Sequence, residues 1–169
     1  MIPSRRTFVK NLSAASALAA TGGMQTVFGM PAYIPNLKNS SPNDKIRIAT
    51  IGMGIQGNYD TMAALRSPDI ELVAEADLYD GRLEHAKTAF GKDKSLFATR
   101  DYREILARPD VDAVLVVTPD HWHDHITIAA LKAGKHVYCE KPMVQHINEG
   151  KPVIDAWRKS GKTMQVGSQ

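Results

Sequence analysis

From Lys45 onward, short apolar runs rich in Val, Ile and Ala alternate with stretches whose apolar positions recur at helical spacing. Ile46–Ile51, Glu71–Ala76, Leu96–Ala98, Val111–Val117, His136–Cys139 and Thr163–Gln169 are predicted as strands. Tyr59–Arg66, Gly81–Phe90, Asp101–Leu106 and Ile126–Ala133 are predicted as helices. Alternation of this kind implies an α/β fold, a doubly wound parallel sheet with helices on both faces. Ala113–Val117 is apolar on successive rather than alternate residues, as a strand buried on both faces must be, so it belongs in the middle of the sheet. Gly134 and Gly161 stand where left-handed residues end helices.

The first 44 residues follow a different pattern. Ser4-Arg5-Arg6-Thr7-Phe8-Val9-Lys10 precedes a charge-free, Ala-rich stretch from Leu12 to Phe28, the layout of an export signal over residues 1–30. The paired arginines match the twin-arginine consensus apart from Val9 in place of Leu, so export to the periplasm by that machinery is expected. Ser13, Ser16, Thr21, Gly22, Gly23 and Gln25 make the stretch too mildly apolar for a stable spanning helix; a retained signal would leave the protein membrane-associated. Residues 31–44, with Pro31, Pro35 and Pro42 among Asn and Ser, read as a linker, and 45–169 as one domain.

The formal net charge of +3 comes from the signal. Without Arg5, Arg6 and Lys10, 18 basic side chains face 18 acidic ones, which removes the basic footprint a nucleic-acid partner needs. Cys139 is the single cysteine, so no intrachain disulfide forms.

The chemistry starts at the end of the first strand. Gly52-Met53-Gly54-Ile55-Gln56-Gly57 is a G-x-G-x-x-G turn, and Asp77 follows its last glycine by 20 positions. In a dinucleotide site of the Rossmann type the first glycine turns the chain, the second admits pyrophosphate and the third lets the helix pack close. The helix then offers its free N–H groups to phosphate. Asp77 at the end of the second strand suits the ribose hydroxyls and opposes a 2′-phosphate, which favours NAD over NADP. Arg82, five residues on, tempers that preference because it could stack on adenine or pair with phosphate.

Two loops on the same side carry further candidates. Thr118-Pro119-Asp120-His121-Trp122-His123-Asp124-His125 follows the central strand; Thr118 and Pro119 are placed along the nucleotide, with His121 or His123 toward its reactive half. A metal site is the rival reading, disfavoured because ligands so close in sequence seldom converge, and a purely structural loop is the other. Glu140-Lys141-Pro142 follows the next strand. Lys141 could set an ammonium beside a substrate hydroxyl or carbonyl, Glu140 could hold that lysine or touch the ribose, and Pro142 would fix the lysine's direction.

Taken together, the glycine turn, Asp77 with Arg82, Thr118-Pro119 with its histidines, Gly134-Lys135-His136-Val137 and above all Cys139-Glu140-Lys141-Pro142 resemble the glucose-fructose oxidoreductase and inositol dehydrogenase family from Lys45 to Gln169. The resemblance implies NAD(P)-dependent oxidation or reduction of a sugar, cyclitol or related polyol, with Lys141 as the active-site lysine. It also implies a second, α+β domain that holds the substrate and forms homo-oligomers in the full-length protein. Residues 45–169 contain only the cofactor domain, so the expectation is a fragment inactive by itself, or a module that binds nucleotide without turnover. A glycoside-cleaving enzyme that uses bound NAD transiently is the further alternative within the same family.

Overall fold

A computed structural model describes residues 45–91 and 96–168; the signal and linker expectations, residues 1–44, lie outside the described residues. Six strands, β1 (Ile46–Ile51), β2 (Ile70–Ala76), β3 (Phe97–Thr99), β4 (Ala113–Val116), β5 (His136–Cys139) and β6 (Met164–Val166), form one sheet in the order β3-β2-β1-β4-β5-β6. Every neighbouring pair is parallel. The helices are α1 (Ile55–Ala64), α2 (Asp80–Phe90), α3 (Tyr102–Ala107), α4 (His123–Lys132) and α5 (Ile147–Ser160). The order reverses at β1 and β4, the switch point whose carboxyl-end crevice takes ligands in sheets of this kind.

The two faces of the sheet are packed differently. Ala49 and Ile51 of β1, Val114 and Val116 of β4 and Val137 and Cys139 of β5 point to one side, where Ile105 and Leu106 of α3 and Ile126, Ala130 and Leu131 of α4 close the main core. Thr50 points to the other side and its hydroxyl meets that of Thr61 on α1 at 2.8 Å. Glu75, in register with Thr50, is on that face beneath α2 and is fully buried.

Where boundaries differ from expectation, a specific group decides. β4 starts at Ala113 rather than Val111, because the Asp112 carboxylate takes the Arg47 backbone N–H at 2.9 Å and its guanidinium at 3.0 and 3.1 Å. Helix α3 begins one residue later than expected, with Asp101 capping it by accepting the Arg103 N–H at 2.9 Å. Helix α1 begins inside the glycine turn, four residues before Tyr59. A 3-10 turn (Asp120–Trp122) runs into α4, so His123, Asp124 and His125 are helical instead of part of a loop. Gly134 and Gly161 have φ of +76° and +65°, the left-handed ends expected of them.

Candidate cofactor and active site

The carboxyl end of β1 meets the start of α1 through the glycine turn, and the fit there is steric. Gly52 has φ +96°, and a Cβ on it would strike the Val117 carbonyl and come within 2.9 Å of the Thr118 nitrogen. A Cβ on Gly57 would strike the carbonyl oxygen of Gly52, so α1 can leave the turn at this angle only without one. Gly54 is different: the nearest atoms to a Cβ there belong to the Arg82 guanidinium, 3.7 Å away, and that side opens into a crevice. Gly54 gives α1 no side-chain cap, which leaves the first-turn N–H groups to a ligand.

Asp77 closes the other wall. Its Oδ2 accepts the Met53 N–H at 2.8 Å and its Oδ1 the Tyr79 N–H at 2.9 Å, and Arg82 Nη1 lies 3.4 Å from Oδ2. The carboxylate is thereby fixed against the turn, while Arg82 spans from it to Gly54. Met53 is fully buried and contributes its backbone.

The crevice has a volume of about 760 Å³. Of the residues expected at the cofactor it is lined by Gly52, Gly54, Ile55, Gln56, Asp77, Arg82, Thr118, Pro119 and His121. Gly57 lies behind it, on the buried face of α1 against the Gly52 carbonyl. The Thr118 Oγ1 is buried with no hydrogen-bond partner among the described residues, a polar atom left for a ligand to satisfy. The glycine cradle, the anchored carboxylate and this hydroxyl fit a dinucleotide.

His123 does not face the crevice. It is buried at 1% exposure, with Nδ1 2.7 Å from the Pro142 carbonyl oxygen and Nε2 2.7 Å from that of Thr118, so neither nitrogen is left for a nucleotide or a metal. His125 pairs with Asp124 at 2.7 Å and sets its ring edge-on to Trp122. Among the described residues no three His, Cys, Asp or Glu side chains are placed to hold a metal ion.

The Glu140 carboxylate is also buried, accepting the Tyr138 hydroxyl at 3.2 Å and the Lys141 N–H at 3.1 Å. Burial, reinforced by the Glu140 carboxylate, pushes the Asp60 carboxyl of α1 above its usual range. Lys141 and Pro142, joined by a cis peptide, are exposed on the loop beyond β5 and do not line the crevice.

Residues 46–168 match the model of a family described as oxidoreductases with an NAD-binding Rossmann fold. The chain belongs to this family. It is 32% identical over 124 residues to the scyllo-inositol 2-dehydrogenase (NAD(+)) of Bacillus subtilis strain 168, covering 73% of the chain and 35% of that enzyme. It is 30% identical to a glycosyl hydrolase family 109 protein of Shewanella sp. strain ANA-3, covering 89% of the chain and 36% of that protein. Among solved structures it resembles the WlbA dehydrogenase from Bordetella pertussis in complex with NADH and UDP-GlcNAcA, with a TM-score of 0.68 and 28% identity over 74% of the chain and 35% of that structure. The chain thus spans about a third of the length of the relatives it matches. The matched residues are the NAD-binding Rossmann domain of that oxidoreductase family.

Several crevice residues were not singled out from sequence. Arg100, Tyr102 and Arg103 reach it from the β3–α3 junction, and Trp122 from the 3-10 turn. Arg100 pairs with Asp80, the first residue of α2, at 2.9 Å, bridging the β3–α3 junction to that helix. Their signal was positional: they follow the carboxyl end of a strand in the same sheet.

Proposed function

We propose that the chain is the cofactor half of an exported, NAD-dependent oxidoreductase acting on a sugar, cyclitol or related polyol. The observation that carries the reading is Asp77, fixed by the Met53 and Tyr79 N–H groups on the wall opposite the open face of Gly54. A carboxylate held there accepts from ribose hydroxyls and repels a 2′-phosphate, which supports NAD over NADP. NAD supplies the hydride acceptor. The chain's own contribution is to seat phosphate at the α1 N-terminus, present the unpartnered Thr118 hydroxyl to the nucleotide, and offer Lys141 as the cation that polarises the carbinol oxygen and eases loss of its proton. Titration of the 169-residue chain with NADH, read by nicotinamide fluorescence, should saturate, and more tightly than with NADPH. A folded chain that binds neither sinks the proposal.

Export rests on Arg5, Arg6 and the apolar stretch after them. The twin-arginine machinery carries folded proteins, so NAD would be bound before translocation. Replacing both arginines by lysine should keep the chain in the cytoplasm; a periplasmic double variant, found by fractionation, would argue against the route.

A second reading is favoured by one observation. The likeness to the family 109 glycosyl hydrolase covers 89% of the chain against 73% for the inositol dehydrogenase, and so extends beyond the NAD-binding domain into the segment before it. On this reading NAD oxidises a sugar carbon transiently to ease departure of a glycosidic group, and the hydride then returns. Sugar release without net NADH, assayed on the intact reading frame, separates it from a dehydrogenase.

A further inference from the structure

Strands β4 and β5 stop pairing just short of the site. Glu140 donates its N–H to the Val116 carbonyl at 2.9 Å, and the two chains then leave as separate loops, residues 117–119 and 141–145. The first lines the crevice through Thr118 and Pro119; the second carries Lys141. Among the described residues the hydrogen-bonded link between these loops is the side chain of His123, its two nitrogens each 2.7 Å from a carbonyl oxygen, Thr118 on one loop and Pro142 on the other.

The chemistry of that link is constrained. A carbonyl oxygen only accepts, so a ring with a single N–H satisfies one partner and turns a lone pair toward the other. A ring with N–H at both positions satisfies both. At 1% exposure, the ring itself is shielded from bulk water. The root of the ring is firm as well: His123 is the first residue of α4, and the preceding 3-10 turn is closed by the Trp122 N–H on the Pro119 carbonyl at 2.9 Å. The lysine loop has no helix or strand of its own between Cys139 and Ile147.

We infer that His123 is a positioning residue: donating from both ring nitrogens, it ties the Thr118 carbonyl to the Pro142 carbonyl and so sets where Lys141 stands relative to the cofactor crevice. The inference rests on the crevice being the NAD site and Lys141 the active-site lysine. The role is distinct from the cofactor contact expected of His123, and it explains why a histidine is buried beside a loop that must present a lysine.

Two measurements on the full 169-residue chain test it. The imidazole nitrogen spectrum of 15N-labelled protein should show hydrogen on both nitrogens of His123; one bare nitrogen overturns the two-armed brace. In the second, an amine-reactive ester modifies the lysines with and without NADH saturating for each protein, and mass spectrometry follows Lys141 against Lys151 on α5. NADH should slow modification of Lys141 in the wild type, and in His123→Gln, whose single amide nitrogen stands in for two separate ring nitrogens, most of that protection should be lost. Equal protection in both proteins removes the positioning role, as does NADH binding that leaves wild-type Lys141 unprotected. If NADH fails to bind the wild type, it is the NAD reading that falls, and the nitrogen spectrum still decides the brace. The spectrum likewise decides it if His123→Gln does not fold.

Discussion

Glu75→Gln should stabilise this domain at neutral pH and leave it nearly unchanged in acid. The Glu75 side chain is fully buried between β2 and α2, and neither carboxyl oxygen has a hydrogen-bond partner among the described residues. Burial pushes its carboxyl from 4.5 up to about 8; Lys87 pulls it down, and Asp77 and Glu84 add to the rise. Between those values the folded chain holds a proton that the unfolded chain has released. Stability from this group is therefore full below pH 4.5 and falls as pH rises toward 8. At about 1.4 kcal/mol per pH unit, the distance from 4.5 to neutrality costs on the order of 3 kcal/mol, a large share of a typical domain's stability. Glutamine keeps the shape and a neutral polar end, so it escapes the cost. Urea unfolding of both proteins across this pH range gives a difference curve in which all other titrating groups cancel. That curve should be flat in acid and climb toward neutrality; a difference independent of pH would refute the argument.

Two further predictions concern the crevice. Gly57→Ala puts a Cβ against the Gly52 carbonyl and should cost roughly 2 kcal/mol or more of stability and abolish NADH binding; an alanine variant that binds like the wild type would show that the turn tolerates movement. Asp77→Ala removes the proposed ribose acceptor together with the partner of the Met53 and Tyr79 N–H groups, so NADH affinity should fall about tenfold or more, and the NADH to NADPH ratio should shift toward NADPH. An unchanged ratio would remove Asp77 as the discriminating group.

The strands were legible to within one to three residues because their signal is local: β5 falls on His136–Cys139 as expected, the unbroken apolar run of β4 does sit between β1 and β5, and β6 ends earlier than expected, at Val166. Three helix starts were not legible, each for a physical reason. Helix α1 begins at Ile55 rather than Tyr59, because its first turn is built from the glycine turn itself. Helix α4 begins at His123 rather than Ile126, because its first turn is His-Asp-His and carries no apolar periodicity; only the folded chain shows His123 and Asp124 turned inward. Helix α5 was marked only by its end at Gly161. Its apolar residues Val153, Ile154 and Trp157 do recur at helical spacing, but Gly150 and Pro152 interrupt the pattern before them; its start is set by Glu149, which accepts the Gln145 and His146 N–H groups at 2.9 Å.

The same limit governs the acids on the sheet. Glu75, Asp77 and Glu140 all sit at or near the carboxyl ends of strands, and sequence places all three there. Their surroundings separate them: Asp77 is held by two backbone N–H groups and Arg82, Glu140 by the Tyr138 hydroxyl and the Lys141 N–H, and Glu75 by no hydrogen bond among the described residues. Position follows from neighbours along the chain, whereas the partner comes from elements brought alongside by the fold. The partner separates the roles: one strand, β2, leads from a carboxyl that burial pushes to about 8 to a carboxylate two residues later that two backbone N–H groups anchor. Removing the acid at Glu75 should therefore act on stability and pH dependence, and removing the one at Asp77 on cofactor choice, although the same strand carries both to the same end of the sheet.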